Sequence, residues 1–419
     1  MSQDCDVLIL GGGPGGSTLA SSLALKNRRS IVLEREKFPR FHIGESLLPC
    51  SSEVFRKIGV LDKLEERYLW KYGARFLCST TRRTASYTFA EAFNTKADHA
   101  YQVPRADFDH VLLEHARSLG ADVREEWEGV EVMFENGRAV GVKARDLRKP
   151  DQIVELRAPV VVDATGRDTF LATRTRRKAK IARLDKSAFF THYRNTFREE
   201  AEKEGNIQII VWEHGWFWFI PFRGDLTSVG AVASADWIRE QRASGAKEPV
   251  DFFERAVADS CWATDFLKGA VRERPVGVLA DFSYRIDQLT GDGWLFVGDS
   301  AGFLDPLFST GAHLAIKSAD LAADAIHEAL SRGDTSRAAF GEYEKAVRYA
   351  VDLFLGVVQA FYRGEFRETL FEANQRVTLR RIITSVLSGD VFHESSGAAQ
   401  PHWASFLIKQ YPAELPTFA

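Results

Sequence analysis

Three glycines, Gly11, Gly13 and Gly16, follow the apolar run Val7-Leu8-Ile9-Leu10 with the GxGxxG spacing that suits a dinucleotide. Gly11 permits the tight turn, Gly13 lets the backbone approach a pyrophosphate, and Gly16 lets the next helix pack closely on the strand. The free N–H groups of that helix then face the phosphates. A second apolar run, Ser30 to Leu33, ends on Glu34, whose carboxylate can accept from ribose hydroxyls. Far along the chain Gly298-Asp299 follows a third buried run, Trp294 to Val297. There Asp299 can accept from a polyol, and the next helix can add backbone donors. Taken alone, the same aspartate is an N-cap.

Holding these groups together requires a buried parallel sheet with helices around it. Ser17 to Lys26 reads as the helix of the first βαβ unit, and Phe38 to Pro49, FPRFHIGESLLP, as a loop before a helix from Ser51 to Ile58. Ala74 to Cys78, Ala85 to Ala90 and Ala100 to Val103 read as strands that begin a second sheet. A helix opens at Arg105, with Asp107 in its first turn, and runs to about Leu119. Ala121 to Val162 has the pattern of a β-meander turning at Glu135-Asn136-Gly137-Arg138, and its last strand runs into Ala164-Thr165-Gly166. Ile207 to Val211, Trp216 to Phe222 and Ser228 to Ala233 make the main part of the second sheet. Ala312 to Leu330 is a long helix, and Thr335 to Ala419 is mostly helical to about Leu387 before a tail containing Pro and Gly.

The expected class is α/β: a Rossmann-like parallel sheet, an interleaved and mainly antiparallel substrate-side sheet, and a helical C-terminal region. Residues 1–76, 101–185 and 271–334 are assigned to the nucleotide-binding part, 77–100 and 186–270 to the second sheet, and 335–419 to the helices.

Composition excludes several functions. A net charge of -3 across 419 residues gives no broad footprint for nucleic acid, and the Arg174 to Lys180 run reads as a solvated loop. No apolar run reaches the length of a membrane span, and MSQDCD carries acids where a signal peptide needs basic residues, so a cytoplasmic protein is expected. Cys5, Cys50, Cys78 and Cys261 lack any metal or CxxC spacing, so no metal site is expected and the thiols read as isolated. Nine tryptophans among 12% aromatics can line an apolar pocket or fill an aromatic-rich core.

The glycine fingerprint, Glu34, Arg105, the Ala-Thr-Gly ending and Gly298-Asp299 together resemble the FAD-binding fold of the glutathione reductase and aromatic hydroxylase type, from residue 6 to about residue 330. That resemblance adds Arg35 and Arg105 to the cofactor-binding set. Trp216-Phe217-Trp218-Phe219-Ile220-Pro221 fits WxWxIP, and with it the chain resembles a flavin-dependent halogenase of the phenol or pyrrole branch. Segments His42-Ile43-Gly44-Glu45-Ser46 and Phe303-Leu304-Asp305-Pro306-Leu307-Phe308-Ser309-Thr310-Gly311 are similar to that family too, as is Lys71 in WKYGARF. Read singly, WFWFIPF is an aromatic-rich buried strand, a random lysine is a surface residue, and Ser309-Thr310-Gly311 is an ordinary N-cap turn.

The resemblance implies that FADH2 and O2 form a C4a-hydroperoxide whose distal oxygen is attacked by chloride or bromide, giving hypohalous acid. At Thr310-Gly311 the helix N–H groups, the positive dipole end and the Thr310 hydroxyl can replace the halide's lost hydration. Lys71 would guide the acid to the substrate. Protonated, it can hydrogen-bond the oxygen and polarise the halogen; neutral, it can itself be halogenated, and the sequence leaves both open. Trp216 and Trp218 carry a steric role, keeping substrate from the peroxide, and the resemblance places Pro221, which closes the same WxWxIP motif, in the catalytic set with them and Lys71.

One departure bears on substrate. Tryptophan halogenases keep a glutamate where this chain has Phe308, which fits an electron-rich phenol or pyrrole that needs less assistance. Phe308, Phe354 and Phe361 are candidates to line the substrate pocket, with Tyr362 and Phe371 nearby in sequence; equally, they can hold the last helices on the core. A carrier-protein-tethered substrate is compatible with the resemblance, though no motif requires one. With no second glycine fingerprint, electrons are expected as FADH2 from a separate NAD(P)H-dependent flavin reductase. The alternatives are a flavin-dependent monooxygenase or a geranylgeranyl reductase-like oxidoreductase, and a flavin-carrying sensor without turnover.

Overall fold

The computed structural model describes residues 3–93, 98–174, 178–280, 283–372, 375–392 and 402–418. Its first layer is a six-stranded sheet ordered Thr290–Gly291, Trp294–Phe296, Val160–Asp163, Val7–Leu10, Ser30–Glu34, Asp122–Glu125. Every pairing in it is parallel except that of Thr290–Gly291 with Trp294–Phe296. Val7–Leu10 is buried at all four positions, as a parallel strand covered on both faces requires. Helix Pro14–Ala24 leaves the first strand with Pro14 at its first turn, where the missing N–H costs nothing. Small residues let it lie close to helix Thr310–Arg332: a Cβ at Gly15 would meet Val297 Cγ1 at 3.0 Å and Ala315 Cβ at 3.6 Å.

The second layer is an eight-stranded sheet ordered Val271–Arg272, Lys186–Arg194, Leu226–Ser234, Gly215–Pro221, Ile207–Trp212, Gly73–Cys78, Thr84–Thr88, with Gly277–Ala280 also paired to Lys186–Arg194. Only Ile207–Trp212 with Gly73–Cys78 is parallel. Gly215–Pro221 is a central strand buried at six of its seven positions. The expected class therefore describes the molecule: a parallel sheet, an interleaved mainly antiparallel one, and a helical C-terminal region.

Three local readings change. Ala100–Gln102 does not join the second sheet; it pairs antiparallel with Leu69–Lys71, and Ser46 bridges to Gln102 on the other side. Of the expected meander, Asp122–Glu125 and Val160–Asp163 belong to the parallel sheet, and only Trp127–Glu135, Arg138–Asp146 and Ile153–Arg157 form the antiparallel unit. The presumed tail contains helix His402–Gln410, whose end packs so tightly on helix Gly341–Arg363 that a Cβ at Gly356 would meet Tyr411 O at 2.1 Å. Part of the Arg174 to Lys180 run lies outside the described residues.

Candidate active site

A polar cavity of about 660 Å³ opens at the carboxyl ends of the parallel strands, where ligands of open α/β sheets bind. The glycine loop forms its floor. Gly11 has φ +101°, and a Cβ there would meet Ala164 O at 2.4 Å. At Gly16 a Cβ would meet Gly11 O at 1.9 Å. Gly13 differs, because its Cβ would meet only Arg40 Nη2, at 3.6 Å, and would project into the cavity. Glu34 is buried, accepting from Gly12 N at 2.7 Å and Glu36 N at 2.8 Å, so its carboxylate also ties the second strand to the glycine loop. Arg35 pairs with Asp168 at 2.5 Å on the rim.

Arg105 lies at the start of helix Arg105–Ser118 and is buried. Its Nε and Nη2 donate to the two oxygens of Asp109, one helical turn on, at 2.7 and 2.9 Å, while Nη1 donates to Ile43 O at 2.9 Å. Arg40 reaches the same Asp109 at 3.1 Å. Asp299 borders the cavity, and no protein donor reaches its carboxylate among the described residues. Burial pushes its pKa up to about 6, opposed by the charges of Arg105 and Arg167.

A second, apolar cavity of about 270 Å³ shares Phe41, His42, Arg105, Arg167, Asp299, Gly311 and Ala312 with the first, so the two are contiguous. Trp216 and Trp218 line it, their rings 5.9 Å apart. Trp218 lies over Gly230 of the neighbouring strand, where a Cβ would meet the indole at 2.2 Å, and its Nε1 donates to Ser228 Oγ at 3.1 Å. Trp216 Nε1 donates to Tyr362 Oη at 2.9 Å, and Tyr362 in turn donates to buried Asp305 at 2.7 Å. Pro221 ends the strand opposite Thr227 and borders neither cavity.

Lys71 is buried, with Nζ donating to Leu47 O at 3.0 Å and lying 5.2 Å from the Phe89 ring centre. No carboxylate pairs with it among the described residues. Desolvation alone lowers its pKa to about 7. It borders neither cavity directly. The strand Leu69–Lys71 is joined through Ala100–Gln102 to Ser46, which does border the apolar one.

A family model described as tryptophan halogenase matches residues 6–92 and 66–406. The chain belongs to the tryptophan halogenase family. Among relatives of this halogenase, a 1H-pyrrole-2-carbonyl-[peptidyl-carrier protein] chlorinase of Pseudomonas fluorescens is 32% identical over 413 residues, covering 93% of this chain and 90% of the relative. A 1H-pyrrole-2-carbonyl-[peptidyl-carrier protein] brominase of Pseudoalteromonas luteoviolacea is 31% identical over 345 residues, 78% of this chain and 79% of the relative. The solved structure of the flavin-dependent brominase Bmp2 superposes with a TM-score of 0.86 at 27% identity, covering 97% of this chain and 98% of that one.

The halogenase fold brings Gly11, Gly13, Glu34, Arg35, Arg105, Asp299 and Gly311 to one cavity wall, and Trp216 and Trp218 to the adjoining cavity. Gly16 lies behind the loop. Thr310 is buried at the first position of helix Thr310–Arg332, its hydroxyl without a partner among the described residues, while Ser309 and Gly311 border the apolar cavity. Phe308, Phe354 and Phe361 border neither cavity. Phe308 meets Phe361 and Phe366 edge-on at 6.4 and 5.8 Å, in the interior that holds helix Gly341–Arg363 to the body. Sequence reasoning missed Arg40 and Asp109, Tyr362 as the partner of Trp216, and the pair Glu45 and His192, which meet at 3.1 Å.

Among the described residues, no group of three or more His, Cys, Asp or Glu side chains is arranged to hold a metal, and no helix is long and apolar enough to cross a membrane.

Proposed function

We propose that this halogenase binds FAD in the polar cavity, receives it reduced from a separate NAD(P)H-dependent flavin reductase, and chlorinates or brominates an electron-rich phenolic or pyrrolic ring. The observation that carries the reading is the contiguity of the cavities: a polar, glycine-floored one meets a tryptophan-lined apolar one at Asp299, Gly311 and Ala312. FAD fits the residues present. Gly13 leaves room for a pyrophosphate, Arg40 and Arg105 supply positive charge, and the Asp299 carboxylate is free to accept from a polyol chain. Bound and reduced, FAD supplies the oxygen activation that turns halide into hypohalous acid.

The chain's own residues do the rest. Gly311, in the first turn of helix Thr310–Arg332, lies on the shared wall, where free N–H groups and the dipole favour an anion. Trp216 and Trp218 limit how closely an organic ring approaches that wall. Lys71, which borders neither cavity but donates to Leu47 O one residue beyond the cavity-lining Ser46, directs the electrophilic halogen to the ring from behind that wall. The carrier-tethered pyrroles in the names of two relatives make a carrier-bound acyl pyrrole a substrate to try alongside free phenols. Four free cysteines accord with a reducing, cytoplasmic setting.

The test is incubation with reduced FAD, O2, chloride or bromide, and a panel of phenols and carrier-bound pyrroles. Halogenated product is expected from the wild type, and from Lys71→Ala flavin oxidation without halogen transfer. If the flavin turns over and nothing on the panel is halogenated, or if the protein alone oxidises NAD(P)H and releases a hydroxylated product, the reading fails.

A further inference from the structure

Glu45 is a buried carboxyl group that the reading above does not use. It borders the apolar cavity and is 1% exposed. Its Oε1 lies 3.1 Å from His192 Nε2, while its Oε2 is buried with no hydrogen-bond partner among the described residues. An unsatisfied buried carboxylate oxygen costs folding free energy and calls for a reason. Its backbone is pinned: Val103 N donates to Glu45 O at 2.8 Å, and Arg105 Nη1 donates to the carbonyls of Ile43 and Gly44 at 2.9 and 3.3 Å. His192 sits on strand Lys186–Arg194 between Phe41 and Phe222, its side chain 13% exposed, and so connects the carboxylate to the surface.

Aromatic halogenation must remove a proton. The ring's π electrons form the carbon–halogen bond as the halogen–oxygen bond of hypohalous acid breaks, and hydroxide leaves. The C–H bonding pair then returns to the ring as its proton is taken up, and that proton and the hydroxide make water. Phe308 leaves no carboxylate at its position, and it borders neither cavity. We infer that Glu45 is the proton acceptor for the halogenated ring, with His192 as the positioning residue that orients the carboxylate and passes the proton outward. This rests on the aromatic-halogenation reading above.

The experiment follows single-turnover halogenation of a phenol or pyrrole on which the wild type acts, carrying either hydrogen or deuterium at the reacting carbon. Glu45→Gln should still oxidise reduced FAD, should halogenate roughly 100-fold more slowly, the size of a lost general base, and should acquire a primary deuterium isotope effect that the wild type lacks. Glu45→Asp should retain halogenation with little isotope effect. Wild-type speed in Glu45→Gln, or equal loss in both variants with no isotope effect, overturns the inference and leaves the aromatic-halogenation reading intact. A wild type that halogenates nothing overturns both.

Discussion

Trp216 Nε1 donates to Tyr362 Oη at 2.9 Å, so a wall of the apolar cavity is held from helix Gly341–Arg363, 146 residues away. Tyr362 passes the bond on to Asp305, whose pKa burial raises to about 6. Tyr362→Phe removes both bonds and leaves a buried carboxylate one donor short, a loss of about 1–3 kcal/mol. A lower melting temperature is expected by calorimetry, together with more peroxide released per halogenated product as Trp216 gains freedom.

Gly13 and Gly16 should separate by substitution. Gly13→Ala meets nothing closer than Arg40 at 3.6 Å, so the apoprotein should melt as the wild type does while FAD binding, followed by fluorescence titration, weakens sharply. Gly16→Ala places a Cβ 1.9 Å from Gly11 O and should lower stability before any cofactor is added.

Gly230→Ala drives a methyl group into the Trp218 indole at 2.2 Å. Overpacking of this kind costs about 1–3 kcal/mol. Chemical denaturation should report that loss, and the displaced indole should alter which ring sizes are halogenated.

Lys71 makes stability depend on pH. Burial lowers its pKa from 10.5 to about 7. Between those values the unfolded chain binds the proton and the folded one does not, so this contribution to stability rises with pH. The penalty is full below about pH 7 and vanishes above the unfolded value near 10.5. Lys71→Met should be more stable to chemical denaturation than the wild type at acidic pH, by on the order of a few kcal/mol. That advantage should fade toward alkaline pH, with halogen transfer absent throughout.

Much of the molecule is legible in its sequence because the signals are local. A buried run followed by spaced glycines locates the first strand and loop, and alternation in WFWFIP locates a strand with two indoles on one face. The pairs that organise the site are distant: Arg40 and Asp109 are 69 residues apart, Tyr362 and Asp305 57, and Glu45 and His192 147. No period or spacing links such residues. The fate of Ala100–Gln102 was hidden for the same reason, since a three-residue strand does not announce its partner. Phe308, Phe354 and Phe361 illustrate the reverse, for an aromatic side chain reads the same in sequence whether it meets a substrate or another helix.

The wall common to the two cavities has a consequence for altering this enzyme. Arg105, Asp299, Gly311 and Ala312 each face both spaces, so a substitution at any of them reshapes the polar space along with the apolar one. Ala188, Phe190, Ile220 and Leu279 border only the apolar space. The antiparallel sheet's face can therefore be varied without touching the polar space, while the wall built from two helix starts and the Gly298–Ala301 turn is constrained by shaping both spaces at once.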